Sequence, residues 1–115
     1  MTILGSNTIL YCRRWNDTVD FYAAGIGLRV LTRNEWFVEF RLSEEARLSV
    51  ADEGSTSVKS SEGRGITISI HVDDARAARL QLLSRGLSPG ELRSVWGSTA
   101  FFIRDPEGNR LEFWS

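Results

Sequence analysis

The feature that most constrains this chain is a repeat of itself. Residues 40–50 lie over residues 103–113 without a gap, so that Arg41, Glu44, Arg47 and Leu48 match Arg104, Glu107, Arg110 and Leu111. Upstream of each copy an apolar run leads into an amphipathic segment: residues 7–12 precede 17–24, and residues 66–72 precede 74–85. A period of this size means one supersecondary unit used twice. In each matched segment an apolar strand enters a polar turn and an alternating strand leaves it, the pattern of a hairpin. Asp105, Pro106, Glu107, Gly108 and Asn109 form the clearest turn, since Pro106 presets φ and Gly108 accepts a positive φ. Asp residues suited to N-capping open the two helices, and Gly25 or Gly27 and Gly86 close them. With further short strands at residues 28–32 and 87–92, each half reads as strand, helix and three strands.

The expectation is an α+β fold of two tandem βαβββ modules, at about residues 5–53 and 66–115, joined by the Gly/Ser-rich stretch 54–65. They would form a curved mixed sheet with helices on one face and a ligand cup on the other. A chain of 115 residues supports one such domain and buries roughly 60–70% of the surface its unfolded form exposes. A half-covered sheet with exposed aromatics would leave a large apolar patch, which predicts a homodimer.

The 14 basic and 15 acidic residues give a net charge of -1 and form no like-charged run, which excludes nucleic acid as the expected partner. No segment approaches the ~20 apolar residues of a membrane span, and the first four residues are too short for a leader. A cytoplasmic protein with no membrane partner is expected. Cys12 is the only cysteine, set in an apolar strand, and reads as a packed side chain.

Strand alternation sorts the side chains into two faces. Asn7, Ile9 and Tyr11 fall on the cup side of the first strand. Arg47, Ser49 and Ala51 fall there in the fourth, Thr67, Ser69 and His71 in the fifth, and Arg110, Glu112 and Trp114 in the last. Of the four tryptophans, Trp15 reads as packing at the helix start, whereas Trp36, Trp96 and Trp114 can line a cavity and stack on planar ligands. Trp36 and Trp96 read equally well as interface filler. The candidate ligand-binding set is therefore Asn7, Tyr11, Trp36, Arg47, Ser49, Thr67, Ser69, His71, Trp96, Glu112 and Trp114. His71 and Glu112 are the candidate proton-transfer pair, set against a structural role for His71 and an ion pair of Glu112 with Arg47 or Arg110.

Two segments carry a family resemblance. Trp96-Gly-Ser-Thr-Ala-Phe-Phe-Ile-Arg-Asp-Pro-Glu-Gly-Asn-Arg-Leu-Glu-Phe113 resembles the C-terminal signature of vicinal oxygen chelate proteins, the group of glyoxalase I, bleomycin-resistance proteins and extradiol dioxygenases. Asp20-Phe-Tyr-Ala-Ala-Gly-Ile-Gly-Leu28 resembles their first-helix signature. The resemblance implies metal-ligand positions at Asn7, Ser49, Thr67 and Glu112. Only Glu112 is a strong ligand for a divalent metal, so neither a bound metal nor another cofactor is expected.

Such motifs identify a fold rather than a reaction. The favoured expectation is metal-independent binding of a small planar or hydrophobic molecule, as in the antibiotic-sequestering members. The alternatives are a metal-dependent lyase, isomerase or dioxygenase, and an acid–base enzyme using His71 and Glu112. A further one is an interaction module whose cup its own side chains fill, leaving no cavity above ~300 Å³.

Overall fold

A computed structural model describes residues 1–115. The chain divides into two units, residues 1–61 and 62–115, each built on one four-stranded sheet with one principal helix. In the first unit β1 (Ser6–Cys12) leads to α1 (Trp15–Asp20), a π-helical turn (Phe21–Ile26), β2 (Arg29–Arg33), β3 (Phe37–Arg41) and β4 (Ala46–Asp52). In the second, β5 (Thr67–His71) leads to α2 (Ala75–Ser84), β6 (Arg93–Val95), β7 (Ser98–Arg104) and β8 (Arg110–Trp114). The sheet orders are β1-β4-β3-β2 and β5-β8-β7-β6, so the duplication read from the sequence is a duplication of topology. Strand pairing closes within each module, giving two four-stranded sheets in place of a single ladder. In each, the first strand runs parallel to the last and the other pairs are antiparallel.

The register repeats as well. Arg41 faces Arg47 in the first hairpin, and Arg104 faces Arg110 in the second. Alternation then buries Val38, Phe40, Leu48 and Val50 in one module and Phe101, Ile103, Leu111 and Phe113 in the other. Each such side chain contributes about 1.5–3 kcal/mol when fully buried. Tyr22 packs between Phe21 and Phe40, with ring centroids 5.0 and 6.2 Å away, and Phe101 stacks on Phe113 at 5.2 Å. Cys12 is completely buried in the first core and donates its thiol to the Leu10 carbonyl.

The helix ends depart from the sequence reading in one place. Asp74 caps α2 as expected, its Oδ1 accepting from the Ala77 N–H at 3.1 Å. The first helix starts at Trp15, before Asp17, and has no side-chain cap. Asp17 instead sits inside the first turn, where its negative charge suits the helix dipole, and pairs with Arg14 at 2.7 Å. Both helical segments end on a glycine of positive φ, Gly27 at 86° and Gly86 at 81°.

The sixth strand also differs, forming at Arg93–Val95 rather than at residues 87–92. Pro89 has no N–H to give a ladder, and the Gly90 N–H makes an isolated bond to the Phe102 carbonyl, so regular pairing starts only beyond Leu92. Asp105 organises the β7–β8 turn. Its buried carboxylate accepts from the backbone N–H groups of Glu107 and Asn109 and from Asn109 Nδ2, each at 2.9 Å. No helix is long and apolar enough to cross a membrane.

Candidate functional site

The second module holds a hollow of about 230 Å³ on the polar face of its sheet. Parallel pairing of β5 with β8 puts Ser69 beside Glu112 and His71 beside Trp114. Ser69 Oγ donates to Glu112 Oε1 at 2.5 Å, and the His71 ring stacks on the Trp114 indole, centroids 4.0 Å apart and planes 14° from parallel. Antiparallel pairing of β7 places Ala100 on the other side of Trp114, where a methyl group leaves room beside the indole. Ser98, Val95 and Trp96 complete the lining. The sequence reading names Ser69, Trp96, Glu112 and Trp114 but not Ala100, Ser98 or Val95. Alternation along β7 would have found the first two, whereas Val95 was hidden by the displaced sixth strand.

Trp96 owes its position to a tight hairpin. Val95 pairs with Ser98, and the two residues between them, Trp96 and Gly97, have φ of 52° and 79°. Positive φ at both central residues is the two-residue turn that matches strand twist. Gly97 adopts it freely, while Trp96 does so at a steric cost and projects its indole fully into solvent.

The remaining candidates fall outside this hollow. Thr67 lies at the far end of β5, accepting from Arg110 Nε at 2.9 Å. In the first module Ser49 is fully buried and donates to Asn7 Oδ1 at 2.8 Å. Arg47 pairs with Glu39 at 3.3 Å, and half-buried Tyr11 is in register with Ala51. Trp36 sits on the β2–β3 hairpin against Phe37, centroids 5.5 Å apart. Trp15 packs at the start of α1, its indole N–H donating to the Val50 carbonyl at 3.1 Å. Glu112 takes its hydrogen bond from Ser69, rather than an ion pair from Arg47 or Arg110, because those arginines are held by Glu39 and by Thr67 with the Phe102 ring.

The four positions implied as metal ligands do not fit a catalytic divalent cation. Asn7 and Ser49 are bonded to each other, the Thr67 hydroxyl serves Arg110, and the set contains one carboxylate and three neutral oxygens. Such sites need about three donors from His, Cys, Asp or Glu, and nowhere in the chain do three such side chains cluster.

The fold has close counterparts among solved structures. A glyoxalase/bleomycin resistance protein/dioxygenase from Nocardioides is 19% identical with a TM-score of 0.79, covering 99% of this chain and 82% of that one. A lactoylglutathione lyase from Agrobacterium tumefaciens is 19% identical with a TM-score of 0.76, covering 95% and 90%. A glyoxalase/bleomycin resistance protein from Streptomyces sp. CB03234 is 16% identical with a TM-score of 0.75, covering 96% and 99%. None of the curated proteins matches the sequence. At these identities the likeness establishes the fold. The sequence profile of one family matches residues 6–113, nearly the whole chain. The chain belongs to the Glyoxalase/Bleomycin resistance protein/Dioxygenase superfamily.

Proposed function

We propose that this protein binds a small planar molecule without a metal, stacking it in the hollow beside Trp114. The observation that carries this reading is the joint presentation of an indole face and a carboxylate in one recess, the pairing of apolar wall and few polar anchors that small-molecule sites use. Glu112 Oε1 is taken by Ser69, and its second oxygen suits an N–H of the ligand. The volume of about 230 Å³ lies below the ~300 Å³ lower end of drug-sized sites, which favours a ligand of one or two fused rings. The proton-transfer alternative lacks a relay: His71 stacks on Trp114, Glu112 binds Ser69, and no hydrogen bond joins the two.

Titration with a panel of one- and two-ring compounds bearing N–H donors, read by tryptophan fluorescence, tests the reading. Saturable quenching that Trp114→Leu removes and Glu112→Gln weakens about tenfold is expected, since a hydrogen bond to a charged group contributes about 1.5–3 kcal/mol. Absence of saturable quenching across the panel would overturn it. The same reading includes a homodimer, which sedimentation velocity at tens of micromolar checks; a monomer there removes that part.

A further inference from the structure

The two modules share a pair of arginines facing each other across the last hairpin, Arg41 with Arg47 and Arg104 with Arg110. Like charges directly opposite in a sheet repel, so each pair calls for a counter-charge. The first module supplies one. Glu39, two residues before Arg41 on the same face of β3, pairs with Arg47 at 3.3 Å, and the adjoining hollow of about 390 Å³ is lined by Glu44 and Glu45 as well as Arg47. The register puts Phe102 where Glu39 stands, because Glu39 faces Ser49 as Phe102 faces Glu112. The second module thus has an aromatic ring in place of the acid. Arg110 lies over that ring at 4.8 Å from its centroid and Arg93 at 5.4 Å, and neither they nor Arg104 forms an ion pair.

The corresponding hollow of the second module, about 340 Å³, is lined by Arg104, Arg110, Thr67 and the backbone of Gly63, Gly65 and Ile66, with no acidic side chain. The acids nearby in sequence are engaged elsewhere: Glu62 pairs with Arg64 at 2.6 Å, and Glu107 is buried in the β7–β8 turn. Each guanidinium is already oriented by one protein contact. Arg110 Nε donates to Thr67 Oγ1 at 2.9 Å and Arg104 Nη1 to the Gly108 carbonyl at 2.8 Å, which leaves their remaining N–H groups for a ligand. The glycine loop is held against the same turn, since a Cβ on Gly63 would come within 2.1 Å of the Gly108 carbonyl oxygen.

We propose that Arg104, Arg110 and Thr67 form a binding site for a phosphate group, separate from the aromatic hollow. Two fixed positive charges match the charge of about -1.5 to -2 that a phosphate monoester carries at neutral pH, and forked guanidinium donors suit its oxygens. The site completes in the second module the neutralisation that Glu39 performs in the first.

The test is calorimetric titration at constant ionic strength with two probes that carry no ring, inorganic phosphate and methyl phosphate. Saturable binding of at least one is expected, weakened about tenfold or more by Arg104→Gln and by Arg110→Gln, and changed less than about twofold by Arg47→Gln. Tighter binding of methyl phosphate assigns the site to phosphate monoesters, and equal or tighter binding of inorganic phosphate assigns it to the free ion. Circular dichroism melts of the ligand-free variants guard against misfolding: neither glutamine variant should lower stability, because each relieves the repulsion across the hairpin. No saturable binding of either probe below about 10 mM, or equal effects of the Arg47 and Arg110 variants, would overturn the proposal.

Discussion

Replacing Trp96 by Asn should make the protein more stable while making it bind less well. The residue holds φ at 52°, a left-handed backbone that costs a bulky L-residue roughly 1–2 kcal/mol and costs Asn, the favoured residue at this turn position, much less. Its indole is fully exposed, so its removal forfeits no burial to offset that gain. The net expectation is a stabilisation of about 1 kcal/mol, or a rise in Tm of about 4 °C for a domain of this size. Binding moves the other way. A lost stacking contact of about 0.5–1.5 kcal/mol weakens affinity roughly two- to tenfold. Urea denaturation reports the first effect and fluorescence titration through Trp114 the second. A destabilisation of more than about 0.5 kcal/mol would refute the reasoning, because it would mean that the indole packs on the fold and that its backbone conformation is repaid by contacts.

Trp15→Ala should lower stability by about 2–4 kcal/mol in chemical denaturation, through lost packing and an orphaned Val50 carbonyl, while leaving ligand quenching saturable. Loss of quenching in that variant would relocate the site to the first module. Asp105→Ala should cost about 2–4 kcal/mol by stranding three donors in a buried turn, an effect absent if the melt is unchanged. Dialysis against a chelator should leave both Tm and ligand affinity unchanged, and elemental analysis should find no stoichiometric transition metal. One metal per chain that disappears in Glu112→Ala would contradict the donor chemistry of the site.

Much of the fold is legible in the sequence because duplication tests every reading twice. The gap-free match fixed the strand faces before any contact was known, and the observed registers of Arg41 with Arg47 and Arg104 with Arg110 follow from it. The misplacement of β6 has a local cause: Pro89 and Gly90 break the ladder, and a three-residue strand carries too little alternation to be found by pattern. At the site, alternation brought Ser69, Glu112 and Trp114 to one face. It could not show that Thr67 would be drawn to Arg110, or that Asn7 and Ser49 would satisfy each other, because those are pairings across strands far apart in sequence. The arginine pair was visible in the repeat. The exchange of Glu39 for Phe102, which sets the two modules' charge apart, acquires meaning only once both are seen beside the same arginine.

The sheet orders bear on how the protein is made. The last strand of each module, β4 or β8, lies between two neighbours instead of at an edge, so neither sheet can close until that strand is available. During synthesis the first module has all its strands once residue 52 has left the ribosome, while the second must keep β5, α2 and the β6–β7 hairpin waiting for residues 110–114. Folding from the N-terminus is therefore sequential by construction. For the time needed to make the stretch from β5 to β8, on the order of seconds at typical elongation rates, Ile68, Ile70, Phe101 and Ile103 lack their central partner and are the segments a chaperone would meet.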